Sequence, residues 1–148
     1  RTDEYIEAMR ALWDGDHAAY EGEFVSFDDV SSNPKPAQGR VPIHIGGHSR
    51  AAAERAGRLG DGFFPGKGDI AELVDIVRQT AVDHGRDPEA IEITYGDAEL
   101  MTVPGSEKVE ELAAIGVDRV IVPSFIFLGN PAEDLAAFGE KMIAPING

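Results

Sequence analysis

The feature that most constrains the fold is an alternation of short apolar segments with segments of helical periodicity, repeated four times after residue 40. The apolar segments are rich in β-branched and aromatic residues, as buried strands are; they are residues 41–45, 61–66, 91–103 and 117–123. Strands separated by helices pair in parallel through right-handed crossovers. We therefore expect an α/β chain with a parallel sheet of four strands.

Each of these strands is followed by a helix with its own start signal. Residues of the N-capping type stand at the starts, namely Ser49, Asp69, Ser106 and Asn130. Apolar residues then recur at helical spacing, as in Ile70, Leu73, Val74, Val77 and Ala81, in Val109, Leu112, Ala113 and Ile115, and in Leu135, Phe138, Met142 and Ile143. Glycines end the first three of these helices, at Gly57 or Gly60, at Gly85 and at Gly116.

The first forty residues do not follow this repeat. Thr2 is positioned to cap a helix with a periodic apolar face, formed by Tyr5, Ile6, Met9, Leu12 and Trp13. We expect Trp13 to anchor a core or an interface rather than to stack on a ligand ring. Alternation over residues 20–27 predicts a short β-hairpin or extended arm, and residues 31–40 read as a loop.

Two architectures fit this order of elements: an open four-stranded sheet, or four consecutive units of a (β/α)₈ barrel. A complete barrel of this kind typically has about 250 residues. The chain also begins at Arg1, without Met and already in a helical pattern. We therefore expect a processed or truncated product, namely half of a (β/α)₈ barrel preceded by a helix and a short β-arm, in a single domain of residues 1–148.

Composition excludes several classes of function. The chain has no cysteine, so disulfides and thiolate metal sites are excluded, and we expect no metal site. A net charge of -14 without a basic cluster argues against nucleic acid and anionic membranes as partners. No apolar run is long enough to span a bilayer, and no signal-peptide pattern is present. We expect a cytoplasmic protein.

The turn at Gly46-Gly47-His48-Ser49 is the candidate binding site. Glycine permits positive φ and leaves room for an approaching ligand. The free N–H groups and dipole of a helix that starts at Ser49 attract an anion such as phosphate. The alternative is an ordinary βα turn that uses glycine for tightness, and the residues by themselves leave both interpretations open.

Several segments, taken in order along the chain, resemble the luciferase-like monooxygenase superfamily. Within it, they are most similar to the deazaflavin (coenzyme F420)-dependent branch. The segments are residues 4–13 (EYIEAMRALW), 20–24 (YEGEF), 33–36 (NPKP), 42–49 (PIHIGGHS), 58–63 (RLGDGF), 85–88 (GRDP) and 116–120 (GVDRV). The resemblance covers nearly the whole chain. It implies a (β/α)₈ barrel of which this chain is the C-terminal half.

The resemblance also implies a function and a site. The function is that of a flavin- or deazaflavin-dependent oxidoreductase acting on a small molecule, with F420 as cofactor and FMN as the alternative. Its phosphate is expected at Gly46, Gly47, His48, Ser49 and Arg50, where Gly47 and His48 donate N–H groups and Ser49 an N–H and its hydroxyl. Arg50 either adds a cation or is simply solvated, and His48 either has a specific role or is a turn residue.

No residue of the chain matches a catalytic acid or base of the family, because most proton-transfer residues belong to the N-terminal half. The isolated chain is therefore expected to be inactive. The alternative function is a non-catalytic half-barrel that binds a phosphate-bearing ligand or only self-assembles.

Three further expectations concern single residues and edges. His44 alternates within its strand and is expected to be an interior histidine, and Asp61 is expected to hydrogen-bond backbone. A half-barrel leaves the strands at Ile43 and Val120 unpaired at its edges, which favours a homodimer or larger homo-oligomer.

Overall fold

A computed structural model of the chain describes residues 1–96 and 106–143. The helices are α1 (Thr2–Asp14), α2 (Arg50–Leu59), α3 (Ile70–Asp83), α4 (Ser106–Ala114) and α5 (Pro131–Phe138). The strands are β1 (Ala18–Glu21), β2 (Ser26–Val30), β3 (His44–Gly46), β4 (Gly62–Phe64), β5 (Glu92–Tyr95) and β6 (Arg119–Val120). Short helical turns cover Pro88–Ala90, Ser124–Phe127 and Gly139–Ile143. No helix within the described ranges is both long and apolar enough to cross a membrane.

Strands β3 to β6 form one parallel sheet in the order β3-β4-β5-β6. Ile45 pairs with Phe63 and Phe63 with Ile93, so the register is continuous across the first three strands. The expected α/β fold with four parallel strands is confirmed, and β3 and β6 are the edge strands. The end of the predicted third strand, residues 97–103, lies outside the described residues.

The strands are shorter than the apolar segments that predicted them. The predicted strand at residues 41–45 begins only at His44, and Val41 is 40% exposed. Pro42 has no N–H to give to a ladder, which keeps this stretch out of the sheet. Similarly, only Arg119–Val120 pairs within the predicted strand at residues 117–123. Apolar content therefore located each strand but not its ends.

The core lies between the sheet and the helices that follow its strands. Ile45, Phe63 and Ile93 project from the sheet into one cluster of buried side chains, which also contains Ala53 of α2 and Val77 of α3. The buried face predicted for α3 is confirmed in full. The apolar positions of α5 are less well buried than predicted, since Leu135 is 53% exposed.

The opposite side of the sheet, which we call the open face, carries His44, Gly62, Glu92 and Arg119. His44 is exposed, so the expectation of an interior histidine is wrong. Its imidazole lies directly over Gly62, where an added Cβ would clash with Nδ1, and its Nε2 is 4.0 Å from the Glu92 carboxylate. Glu92 also accepts a hydrogen bond of 2.7 Å from Arg119. The alternation identified the side of the strand but not whether that side is covered.

Helix α1 and the β1–β2 hairpin form one docked unit. Glu4 of α1 accepts hydrogen bonds of 2.7 Å from the N–H groups of Phe24 and Val25 at the hairpin turn. The hairpin confirms the predicted arm, although it extends over residues 18–30. Thr2 does not cap α1, because Arg1 holds the cap position and makes no side-chain capping bond.

Ion pairs fasten α1 to α2. Asp3 accepts hydrogen bonds from the guanidinium groups of Arg55 and Arg58, the latter at 2.7 Å. The hydrogen bond from Arg55 is the largest cause that lowers the pKa of Asp3 below its ordinary value of 3.8. Along the inner side of α1, Ile6 and Ala8 are buried, whereas Tyr5 and Met9 remain 42% and 38% exposed.

Two aspartates join neighbouring strands at their amino ends. The carboxylate of Asp61 accepts the N–H of Ile43 at 2.9 Å, and that of Asp118 accepts the N–H of Ile93 at 2.7 Å. Each aspartate also donates its own backbone N–H to the carbonyl of the same residue, Ile43 or Ile93. The expected backbone role of Asp61 is thus confirmed, and the same arrangement recurs between β5 and β6.

Candidate functional site

The carboxyl ends of the parallel strands meet at one edge of the sheet, and the candidate site lies there. Since β3 to β6 run in the same direction, the described segments that follow β3, β4 and β6 emerge on the same side. The turn after β3 contains Gly47, His48 and Ser49, and the loop after β4 contains Gly66 and Lys67.

Gly47 has a conformation that requires glycine. Its φ is +141°, and an added Cβ would be 2.8 Å from the Cβ of Ala52 in the first turn of α2. Its N–H donates a hydrogen bond of 3.1 Å to the carbonyl of Phe64 at the end of β4. The N–H group expected to face a ligand therefore holds the turn against the neighbouring strand.

Ser49 begins α2 as the sequence predicts. Its hydroxyl accepts the N–H of Ala52 at 3.2 Å, and its carbonyl accepts the N–H groups of Ala52 and Ala53. Among the described residues, no backbone carbonyl or side chain accepts the N–H groups of His48 and Ser49. Both residues are exposed. These two donors, at the positive end of a ten-residue helix, form an arrangement that attracts oxyanions.

The side chains of His48 and Arg50 point to different surroundings. The His48 imidazole lies near the loop after β4, where a Cβ on Gly66 would be 3.8 Å from Nδ1. Arg50 donates from Nε to Glu54 at 2.8 Å, is 73% exposed, and lines a groove between α2 and α3. The structure thus brings His48 to the edge with the turn, while Arg50 is engaged along its own helix.

Sequence reasoning missed Lys67, which stands at the same edge. It is exposed in the loop after β4, and it forms no ion pair with any of the described residues. Its position directly after the predicted strand at residues 61–66, next to Pro65-Gly66, was the available signal. Lys67 supplies a cation at the same edge as a turn whose own arginine is paired with Glu54.

Beside the turn, the rim of the open face combines two glycines with two exposed apolar side chains. Gly46 and Gly96 stand at the carboxyl ends of β3 and β5, and a Cβ on Gly46 would have no atom within 4 Å. Phe64 and Ile121 are 40% and 41% exposed. An anion-attracting turn next to exposed apolar side chains suits a ligand with a phosphate and a ring. Among the described residues, no cluster of His, Asp and Glu could hold a metal ion.

Comparisons with known proteins agree with this architecture. The family model for luciferase-like monooxygenases matches residues 1–141. An uncharacterized protein of Mycobacterium tuberculosis is 33% identical over 151 residues, which cover 97% of this chain and 49% of that protein. The chain spans about half the length of the curated relatives that it matches end to end.

Proteins of described activity also match. The FMNH(2)-dependent dimethylsulfone monooxygenase of Pseudomonas fluorescens is 36% identical over 88 residues, which are 57% of this chain and 24% of that enzyme. The coenzyme F420-dependent tetrahydromethanopterin reductase of Methanopyrus kandleri superposes with a TM-score of 0.65 at 16% identity, covering 78% of this chain and 55% of that one. At that identity the superposition shows the shared fold.

Proposed function

This chain belongs to the luciferase-like monooxygenase family, and we propose that it supplies the phosphate-binding half of a barrel that uses a deazaflavin or flavin cofactor. The cofactor is F420, with FMN as the alternative, and the reaction is an oxidation or reduction of a small molecule. The resemblance to the F420 branch supports the first cofactor. The reductase of Methanopyrus kandleri is F420-dependent and the dimethylsulfone monooxygenase FMNH(2)-dependent, so the relatives support both.

One observation carries this proposal: the N–H groups of His48 and Ser49, which no described residue accepts, stand at the start of α2, beside a glycine that no other residue replaces without strain. A phosphate oxygen there would gain two hydrogen bonds and the helix dipole. The Ser49 hydroxyl and the Lys67 ammonium add a further donor and a positive charge. This local set of donors offsets the acidic character of the chain as a whole.

The residues present in this chain fit a binding role. When bound, the cofactor supplies the hydride or oxygen chemistry. His48 and Ser49 would hold its phosphate, Gly46 and Gly96 would leave room for the attached ring system, and Phe64 and Ile121 would offer it apolar surface. We assign no proton-transfer residue to this half.

The proposal is tested by titrating the chain with FMN, F420 and inorganic phosphate while backbone amide shifts are followed. We expect the largest shifts at residues 47–49, with Ser49→Ala weakening FMN binding. Ser49→Ala also removes a helix cap worth about 1 kcal/mol. Asp69→Ala is therefore the matched control, because the Asp69 carboxylate caps α3 in the same way by accepting the N–H of Glu72 at 3.0 Å. Shifts centred elsewhere, or equal weakening by both variants, would refute the site.

We further propose that copies of this chain associate through the edges of the sheet. Strands β3 and β6 are the two edge strands, and β6 is flanked by Ile121 at 41% exposure. Parallel sheets are normally buried on both faces, and bare edges are avoided. Two copies related by a two-fold axis would place β6 of one beside β3 of the other.

Light scattering at micromolar concentration is expected to give a dimer or larger species, and Val120→Lys with Ile121→Lys is expected to give monomers. A wild-type chain that is monomeric and unfolds sharply would contradict association. A double variant that stays dimeric would contradict the proposed edge pairing.

A further inference from the structure

We propose that a second binding site, for a small oxyanion such as a carboxylate or phosphate, lies at the amino end of the sheet. A cavity of about 230 Å³ opens there between α1 and the segment before β3. Its lining consists of Arg10, Trp13, Asp14, Arg40 and Val41. The turn at residues 46–49 follows β3, whereas Arg40 and Val41 precede it. The two sites therefore lie at opposite ends of the same strand.

The cavity is lined by hydrogen-bond donors that the described residues leave unused. Arg10 donates from Nη2 to the Leu59 carbonyl at 2.7 Å and to Asp61 at 3.0 Å, and Arg40 donates from Nη2 to the other Asp61 oxygen. Among the described residues, nothing accepts the Nε and Nη1 donors of these two arginines, and nothing accepts the indole N–H of Trp13. A guanidinium group carries hydrogen-bond donors and no acceptor atom. An anion is therefore the ligand that best complements these unused donors.

Positive charge is in excess at this place although the chain is strongly acidic. Among the described residues, Asp61, whose side chain is 7% exposed, is the one carboxylate that contacts both Arg10 and Arg40. The nearby guanidinium of Arg86 gives hydrogen bonds to the carbonyls of Gly57 and Gly60, both at 2.6 Å, and burial lowers its pKa. Two guanidinium groups therefore contact one buried carboxylate, and a third, Arg86, interacts with it electrostatically.

Two sources of negative charge, a carboxylate and a helix end, also face the cavity, and the ammonium group of Lys35 partly offsets them. Asp14 contributes a carboxylate to its lining, and the carboxyl end of α1 carries a negative partial charge. Lys35 donates to the carbonyls of Leu12 and Gly15 at that helix end, and its ammonium is 3.7 Å from Asp16. The fork-shaped donors of Arg10 and Arg40 remain the groups best matched to a planar or tetrahedral oxyanion.

The size and the lining of the cavity limit the class of ligand that it can hold. The cavity is smaller than the roughly 300–1,000 Å³ of typical drug-sized pockets, so it suits a small anion. The half-buried indole of Trp13 adds an apolar wall. A carboxylate that carries a compact apolar group is therefore expected to bind more tightly than acetate.

The test uses Trp13 as its own reporter, because it is the single tryptophan of the chain. The chain is titrated at constant ionic strength with inorganic phosphate, acetate and cyclohexanecarboxylate. We expect a saturable change in tryptophan fluorescence, at the lowest concentration for cyclohexanecarboxylate. Arg40→Gln is expected to weaken this binding about tenfold or more, since it removes a charge-assisted donor.

Three further variants serve as controls. Arg40→Lys keeps the charge and is expected to restore part of the affinity. Lys141→Gln removes an exposed positive charge elsewhere and should leave the fluorescence titration unchanged. Ser49→Ala, which is expected to weaken binding at the turn after β3, should leave the affinity for cyclohexanecarboxylate reported by Trp13 unchanged, which separates the two sites. Amide shifts in the unaltered chain, expected at residues 10–14 and 40–41, check the location without any substitution.

Absence of a saturable change with all three anions would overturn the proposal. Equal affinity in Arg40→Gln and the unaltered chain, or amide shifts centred away from the cavity, would overturn it as well. In those cases Arg10 and Arg40 serve only to fasten α1 and the segment before β3 to Asp61.

Discussion

Replacing Asp61 with alanine is expected to lower the free energy of unfolding by about 3 kcal/mol, at the low end of the range for breaking a buried ion pair. The Asp61 side chain is 7% exposed and accepts hydrogen bonds from Arg10, Arg40 and the N–H of Ile43. Its removal leaves two guanidinium groups without their carboxylate and a backbone N–H without its acceptor. The low end applies because Arg10 and Arg40 are themselves 36% and 61% exposed.

Asp118→Ala is the matched control for this prediction. Asp118 makes the same backbone bond to the neighbouring strand, but its side chain is 50% exposed and its arginine partner, Arg78, is 3.8 Å away. We expect a loss of about 1 kcal/mol there, typical of one hydrogen bond. Denaturant unfolding followed by circular dichroism measures both values. Equal losses for the two variants would show that the arginines around Asp61 add nothing.

Gly47→Ala is expected to destabilise the chain and to abolish anion binding at the turn after β3. Alanine at a φ of +141° costs about 1–3 kcal/mol, and the new Cβ would meet the Cβ of Ala52 at 2.8 Å. Relief of that contact moves the turn relative to the first turn of α2. The N–H groups of His48 and Ser49 would then no longer converge with the helix dipole.

Gly46→Ala is the control for Gly47→Ala, because Gly46 lacks a positive φ and its added Cβ would have nothing within 4 Å. Its stability is expected to stay the same or rise by about 0.4–1 kcal/mol, as for glycine-to-alanine changes at permitted conformations. Thermal unfolding gives the stabilities, and titration with FMN gives the binding. A Gly47→Ala chain as stable as Gly46→Ala, with FMN binding intact, would contradict the role of the turn.

The sequence by itself determined the features that depend on nearby residues. Helix starts at Ser49 and Asp69 followed from side chains that bond N–H groups three residues later. The buried face of α3 followed from helical spacing. The alternation of strands and helices determined the parallel sheet and its two edge strands. The helix starts and the buried face are local, and the order of strands and helices can be read along the chain, so a linear pattern contains the information that sets them.

Only the tertiary structure decided the features that join distant parts of the chain. Asp61 accepts a hydrogen bond from Arg10, which lies 51 positions earlier in the chain, and Gly47 donates its N–H to a carbonyl of the neighbouring strand. The exposure of His44 depends on whether anything covers the open face, and the cavity at Trp13 depends on where α1 docks. Such features arise from the packing of whole elements against each other. Hydrophobic periodicity states which side of an element is buried, but it does not state which distant side chain will meet it there.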